Sequence, residues 1–123
     1  MTDRDTGDDT GLAPLVFFEY DHRPGTFCLL LSDAAMVAVE DVFERCGQYG
    51  NGYGWAGVAR SAVRARAPEL AGRFGYDPEA GMFVAYGEDA DALRRLGMLL
   101  REALHDRAVL RELIESGDPE WFD

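Results

Sequence analysis

Phe18-Glu19-Tyr20-Asp21-His22-Arg23-Pro24-Gly25-Thr26-Phe27 and Phe74-Gly75-Tyr76-Asp77-Pro78-Glu79-Ala80-Gly81-Met82-Phe83 both read F-x-Y-D-x-x-x-G-x-F, 56 residues apart, and the register continues to Asp33-Ala34 and Asp89-Ala90. Recurrence at a fixed offset points to a repeated structural unit. Convergence of two hairpins on one favoured loop length is the alternative. In each copy, two stretches rich in aromatic and β-branched residues flank a five-residue turn, the pattern of a β-hairpin. In the first, residues 15–20 face 26–31, with Asp21 able to bond its own backbone and Gly25 able to take a positive φ. In the second, 73–76 face 82–86 across 77–81. The runs Phe-Cys-Leu-Leu-Leu (27–31) and Met-Phe-Val-Ala-Tyr (82–86) are apolar on both faces. Such strands call for cover on both sides and belong at the centre of a sheet.

A helical period follows each hairpin. Met36, Val39, Phe43 and Cys46 form one face, opposite Glu40, Asp41, Glu44 and Arg45, with Ser32 or Asp33 as the cap. In the second copy Leu93, Leu96, Leu100 and Ala103 form the same stripe at an offset of 57, as if one residue were added in the connection 87–89. Arg94, Arg95, Arg101 and Glu102 face out. Each unit then carries another helix: 55–67, with Trp55, Val58, Ala59 and Ala62 inward, and 107–116, with Val109, Leu110, Leu113 and Ile114 apolar. The order ββαα-ββαα segregates strands from helices, so the expected fold is α+β: an antiparallel sheet of four main strands packed by helices. The units, about 15–67 and 73–116, make a single domain over 15–123. Residues 1–14, rich in Asp, Thr and Gly, read as a loose acidic tail.

A chain of 123 residues with 47% hydrophobic content can bury a core without metals or disulfides. No apolar run reaches the roughly 20 residues of a membrane helix, and the N-terminus lacks the pattern of a secretory signal. A cytoplasmic location is expected. Cys28 and Cys46 lie in different elements among apolar neighbours and read as buried small hydrophobes, not a disulfide. The formal net charge is −11, and the chain has no lysine. That charge repels nucleic acid and favours a basic protein partner.

Chemistry-bearing patterns are few. His22 lies in a hairpin turn and His105 near a helix end, so no histidine triad has a signature. No CxxC or Cys/His cluster suggests a metal. Glu19 is either a buried acid or base or an outward residue at a strand end, and the second fits the general rarity of buried glutamate. The stretch Gly47-Gln48-Tyr49-Gly50-Asn51-Gly52-Tyr53-Gly54-Trp55 is glycine-rich before a helix, but it has neither G-x-G-x-x-G nor a following Lys-Ser or Lys-Thr, so phosphate-loop readings fail. Two readings of it stay open. The glycines serve a tight turn while Tyr53 and Trp55 fill the core, or Tyr49, Asn51, Tyr53 and Trp55 form an aromatic recognition loop. Trp121 and Phe122 are expected to fold back on the core. No catalytic residue, cofactor or metal is assigned. The exposed acids Glu40, Asp41 and Glu44, with the aromatic loop, are the candidate partner contacts.

The combination G-N-G-Y-x-W at 50–55, followed by F-x-Y-D-P-E-A-G-M-F at 74–83, resembles the immunity protein 51 family, over roughly residues 15–113. The resemblance implies a binding protein that neutralises a secreted polymorphic toxin made by the same cells. It carries partner contact over to Asn51, Tyr53 and Trp55 and adds Asp77 and Glu79. The family pattern has an acidic residue between the Tyr and the Trp and often another after the Trp; here Gly54 and Ala56 stand there, which points to a different toxin or to other contacts. The expected function is therefore an immunity protein that binds a cognate, basic toxin domain such as a nuclease, and is not an enzyme. The alternative is a non-catalytic small-molecule sensing or carrier module, with a ligand in a cleft between the hairpins. An enzyme using carboxylates alone is a third possibility that nothing in the sequence requires. A homodimer is compatible with each.

Overall fold

In the computed structural model, which describes residues 11–122, both F-x-Y-D segments form hairpins. β1 (Val16–Glu19) pairs antiparallel with β2 (Phe27–Ser32), and β3 (Gly75–Tyr76) with β4 (Met82–Gly87). The hairpins are joined by a β2–β4 ladder running from Phe27 opposite Gly87 to Ser32 opposite Met82. The result is one open antiparallel sheet in the order β1-β2-β4-β3. The two strands that are apolar on both faces do lie at its centre. In the first turn Gly25 has φ +90°, and the exposed Glu19 carboxylate accepts its N–H at 2.7 Å. Glu19 is thus an outward strand-end residue that closes a turn.

Five α-helices complete the described residues: α1 (Asp33–Val37), α2 (Glu40–Arg45), α3 (Gly52–Arg66), α4 (Ala90–His105) and α5 (Arg107–Ser116). Strand alternation sends Phe17, Leu29, Leu31, Phe83 and Ala85 toward them, and all five are buried. They meet Leu93, Leu96, Leu100 and Ala103 of α4 and Trp55, Val58, Ala59 and Ala62 of α3 in one apolar cluster. Each large side chain buried there contributes about 2 kcal/mol. The ring of Phe122 folds back over α3. It is buried, and a Cβ at Gly57 would stand 2.7 Å from it.

Several expectations change. The single helix expected over 33–46 is two short ones. The chain turns at Ala38–Val39 through tight Val39 N–H to Met36 and Val42 N–H to Val39 carbonyl bonds, and this buries Val42 beside Met36, Val39 and Phe43. Ser32 stands at the N-cap of α1 but makes no side-chain capping bond. The segment after β4 runs unbroken as α4, so the two halves differ in their helices, although the central ladder pairs Leu29 with Ala85, residues 56 apart. Leu12, within the expected tail, is buried near Gly97; residues 1–10 of that tail lie outside the described residues. Cover on both sides of the sheet is also corrected. The face carrying Val16, Phe18, Cys28, Leu30, Val84 and Tyr86 contributes nothing to the core cluster, and the cluster lies on the helix side alone. Antiparallel sheets tolerate this arrangement, because one face suffices to build a core.

Candidate functional site

Asn51 has extended backbone, and its Oδ1 accepts the Gly54 N–H at 2.9 Å. It is the N-cap of α3, so the helix begins at Gly52 and not at Trp55. Half of the glycine-rich loop is therefore helix. The Gly52 N–H donates to the Ala80 carbonyl at 3.1 Å. A Cβ on Gly52 would lie 1.8 Å from the Glu79 carbonyl oxygen, and one on Gly54 would lie 2.0 Å from that of Tyr49. Gly50 sits against α2, where a Cβ would come within 3.1 Å of the Glu40 Cα. Among these glycines only Gly47, with φ +78°, uses the left-handed region. The others allow backbone to touch backbone.

These contacts clamp three segments together: the start of α2, the start of α3 and the β3–β4 turn. They bring the backbones around Glu40, Tyr49, Asn51, Tyr53 and Glu79, spread along the chain, close together. Tyr49 is 74% exposed and Tyr53 39%, and Glu40 and Glu79 are exposed as well. Glu44 is exposed one turn along α2. Asp77 is exposed at the start of the β3–β4 turn. Asp41 points instead to α5 and pairs with Arg107.

Trp55 requires a correction. It is fully buried, 5.6 Å from the Phe43 ring, and its indole N–H has no acceptor among the described residues. A side chain with no accessible surface cannot anchor a partner. Trp55 holds the surface from beneath, as the core reading of the loop expects, while Tyr53 stays outside. No sequence signal marked the glycines as contact points: Gly52 meets a turn 27 residues downstream, and Gly50 and Gly54 meet Glu40 and Tyr49 only through the folded path of the chain.

His22 and His105 are exposed, and the His22 ring packs 5.3 Å from Tyr20. Among the described residues no group of His, Cys, Asp and Glu is arranged to hold a metal ion. Among the described residues two carboxyls are clearly shifted, both downward. Arg95 hydrogen-bonds Glu69, while the Ala92 N–H and then Arg73 hold Asp89 below the usual carboxylate range. A general acid needs the opposite shift. Burial pushes the Tyr76 phenol up to about 12 beneath the Arg60 guanidinium. The cleft expected between the hairpins is closed by the β2–β4 ladder. A shallow groove of about 350 Å³ lies elsewhere, between α3 and the C-terminal turn, lined by Arg60, Arg64, Phe74, Tyr76 and Trp121.

Among known proteins, residues 15–119 match the family model described as Immunity protein 51. No curated protein and no solved structure matches the chain.

Proposed function

The chain belongs to the immunity protein 51 family, and from that premise we propose that it binds and neutralises a cognate bacterial toxin domain of basic character, without catalysing a reaction itself. The observation that carries this is the clamped surface of Glu40, Tyr49, Tyr53 and Glu79, which is exposed, acidic and aromatic. Backbone contacts through Gly50 and Gly52 hold it in place. Because it is preorganised, little entropy is lost on binding. Tyrosine supplies contact area at small conformational cost. A net charge of −11 speeds encounter with a basic partner. A nuclease is a fitting class, because its own substrate is a polyanion and its groove is basic. No helix among the described residues is long and apolar enough to cross a membrane, and the proposed workplace is the cytoplasm of the toxin-producing cell.

The test is co-expression with the toxin domain encoded in the neighbouring reading frame. The wild-type chain should rescue growth and co-purify with the toxin. Glu79→Arg combined with Tyr49→Ala should weaken binding at least 30-fold, the effect of losing about 2 kcal/mol of interface contact, with thermal unfolding unchanged. Failure of the wild-type chain either to bind or to protect would sink the proposal.

A further inference from the structure

We propose that the toxin seats on the open face of the β-sheet, with the acidic β3–β4 turn as the border of that contact. This rests on the toxin-binding reading above and names the face. The outward positions of β1, β2 and β4 are Val16, Phe18, Cys28, Leu30, Ser32, Met82, Val84 and Tyr86. A solvated antiparallel face normally carries polar residues at such positions. Here all but Ser32, exposed at the end of β2, are apolar or a cysteine, and they adjoin across three strands. Cys28 and Val84 are buried, whereas Val16 is 37% and Tyr86 41% exposed. Tyr20 shares this face, its ring edge-on to Phe18 at 5.6 Å. A contiguous apolar patch of this kind marks a site of macromolecular contact.

Charge identifies the occupant. No strand carries an arginine, whereas every helix except α1 does. Most of the described arginines lie on helices; Arg23, in the β1–β2 turn, and Arg73, before β3, do not. Tyr76 faces the helices and packs on the core, so strand alternation turns its neighbour Asp77 to the open face. There the Asp77 carboxylate adds to the burial that pushes the Tyr20 phenol up to about 12. The turn continues to the exposed Glu79. An apolar centre with a polar rim is the anatomy of a protein–protein interface. A second copy would bring the same acids and another −11 of charge to this rim, and like charges facing each other across an interface are unfavourable. A partner with an apolar centre and a basic border fits instead.

The experiment uses the full chain and the toxin domain from the neighbouring reading frame. Val16→Arg and Tyr86→Arg should each weaken binding about 30-fold or more. Met98→Arg, on α4 and 53% exposed, should leave binding unchanged. Because a strand variant can misfold, hydroxyl-radical footprinting of the wild-type complex gives a second readout, in which Phe18 and Tyr86 should be protected from oxidation. If Tyr49 is protected while Tyr86 reacts as in the free chain, the face proposal fails and toxin binding stands. If the free chain self-associates with Tyr86 protected, the face belongs to a second copy and the proposal also fails. If no complex forms, both readings fall together.

Discussion

A methyl group on Gly52 would stand 1.8 Å from the Glu79 carbonyl oxygen and 2.3 Å from that of Met82, and both are backbone atoms of a hydrogen-bonded turn. Neither can rotate away as a side chain would. Gly52→Ala should therefore destabilise the fold by about 3 kcal/mol, the upper range for overpacking a well-filled site. Gly81, in that same turn, has nothing within 4 Å of its Cβ position and no positive φ, so Gly81→Ala should leave stability unchanged. Urea unfolding of the two variants checks the contrast. If Gly52→Ala unfolds at the wild-type midpoint, α3 is not seated on the turn. Residue by residue, the sequence revealed the glycines but not their purpose. A glycine that supplies φ freedom and one that admits a neighbouring carbonyl look alike in a string, and Trp55 reads equally well as anchor or core until its surroundings are known. Tyr49 and Tyr53 differ from Trp55 because α3 begins at Gly52 and turns Trp55 inward, a boundary that the Asn51 cap decides.

At the scale of elements, legibility followed the strength of the periodic pattern. Leu93, Leu96, Leu100 and Ala103 are all fully buried on α4, and α5 spans Arg107–Ser116 as its apolar spacing predicts. The 33–46 segment has the same spacing, yet it breaks, because the tight bonds at Val39 and Val42 serve packing that local periodicity does not encode. Caps divide in the same way. Ser32 has a capping residue type and makes no capping bond, whereas Asp89 accepts the Ala92 N–H at 3.0 Å and pairs with Arg73 at 2.6 Å. These contacts hold the folded Asp89 carboxyl below its ordinary value, the Ala92 bond contributing most. A depressed carboxyl stabilises the fold fully above its unfolded pKa, and that stabilisation is lost as pH falls through the folded one. Asp89→Ala should accordingly lower the melting temperature at neutral pH, and the gap from wild type should close on acidification below pH 4 or so, where the unfolded carboxyl is already protonated. Ser32→Ala should melt with the wild type throughout. Melting followed by circular dichroism across pH reads both, and a gap for Asp89→Ala that persists unchanged into strong acid would contradict the assignment.

Over the whole molecule, segregation of strands from helices was enough to read the α+β class, and the doubly apolar runs were enough to place β2 and β4 centrally. What could not be read was that the described residues would cover only one face of the sheet. Two-sided apolarity demands a neighbour, but it does not say whether the neighbour belongs to the same chain. The structure supplies helices to one side and an acidic β3–β4 turn at the border of the other, so attraction and retention are separable for the basic toxin proposed above. Long-range charge acts before contact and is screened by salt over about 10 Å at 0.1 M. Apolar contact acts after water has been expelled and is little affected by modest salt. Raising sodium chloride from 10 to 500 mM should therefore slow association with the toxin domain by about 10-fold to 100-fold, while the dissociation rate changes less than about threefold. Stopped-flow fluorescence gives the first rate and competition with unlabelled chain the second. If dissociation instead accelerates in step with the slowing of association, ion pairs hold the complex together, and the apolar sheet face is not its centre.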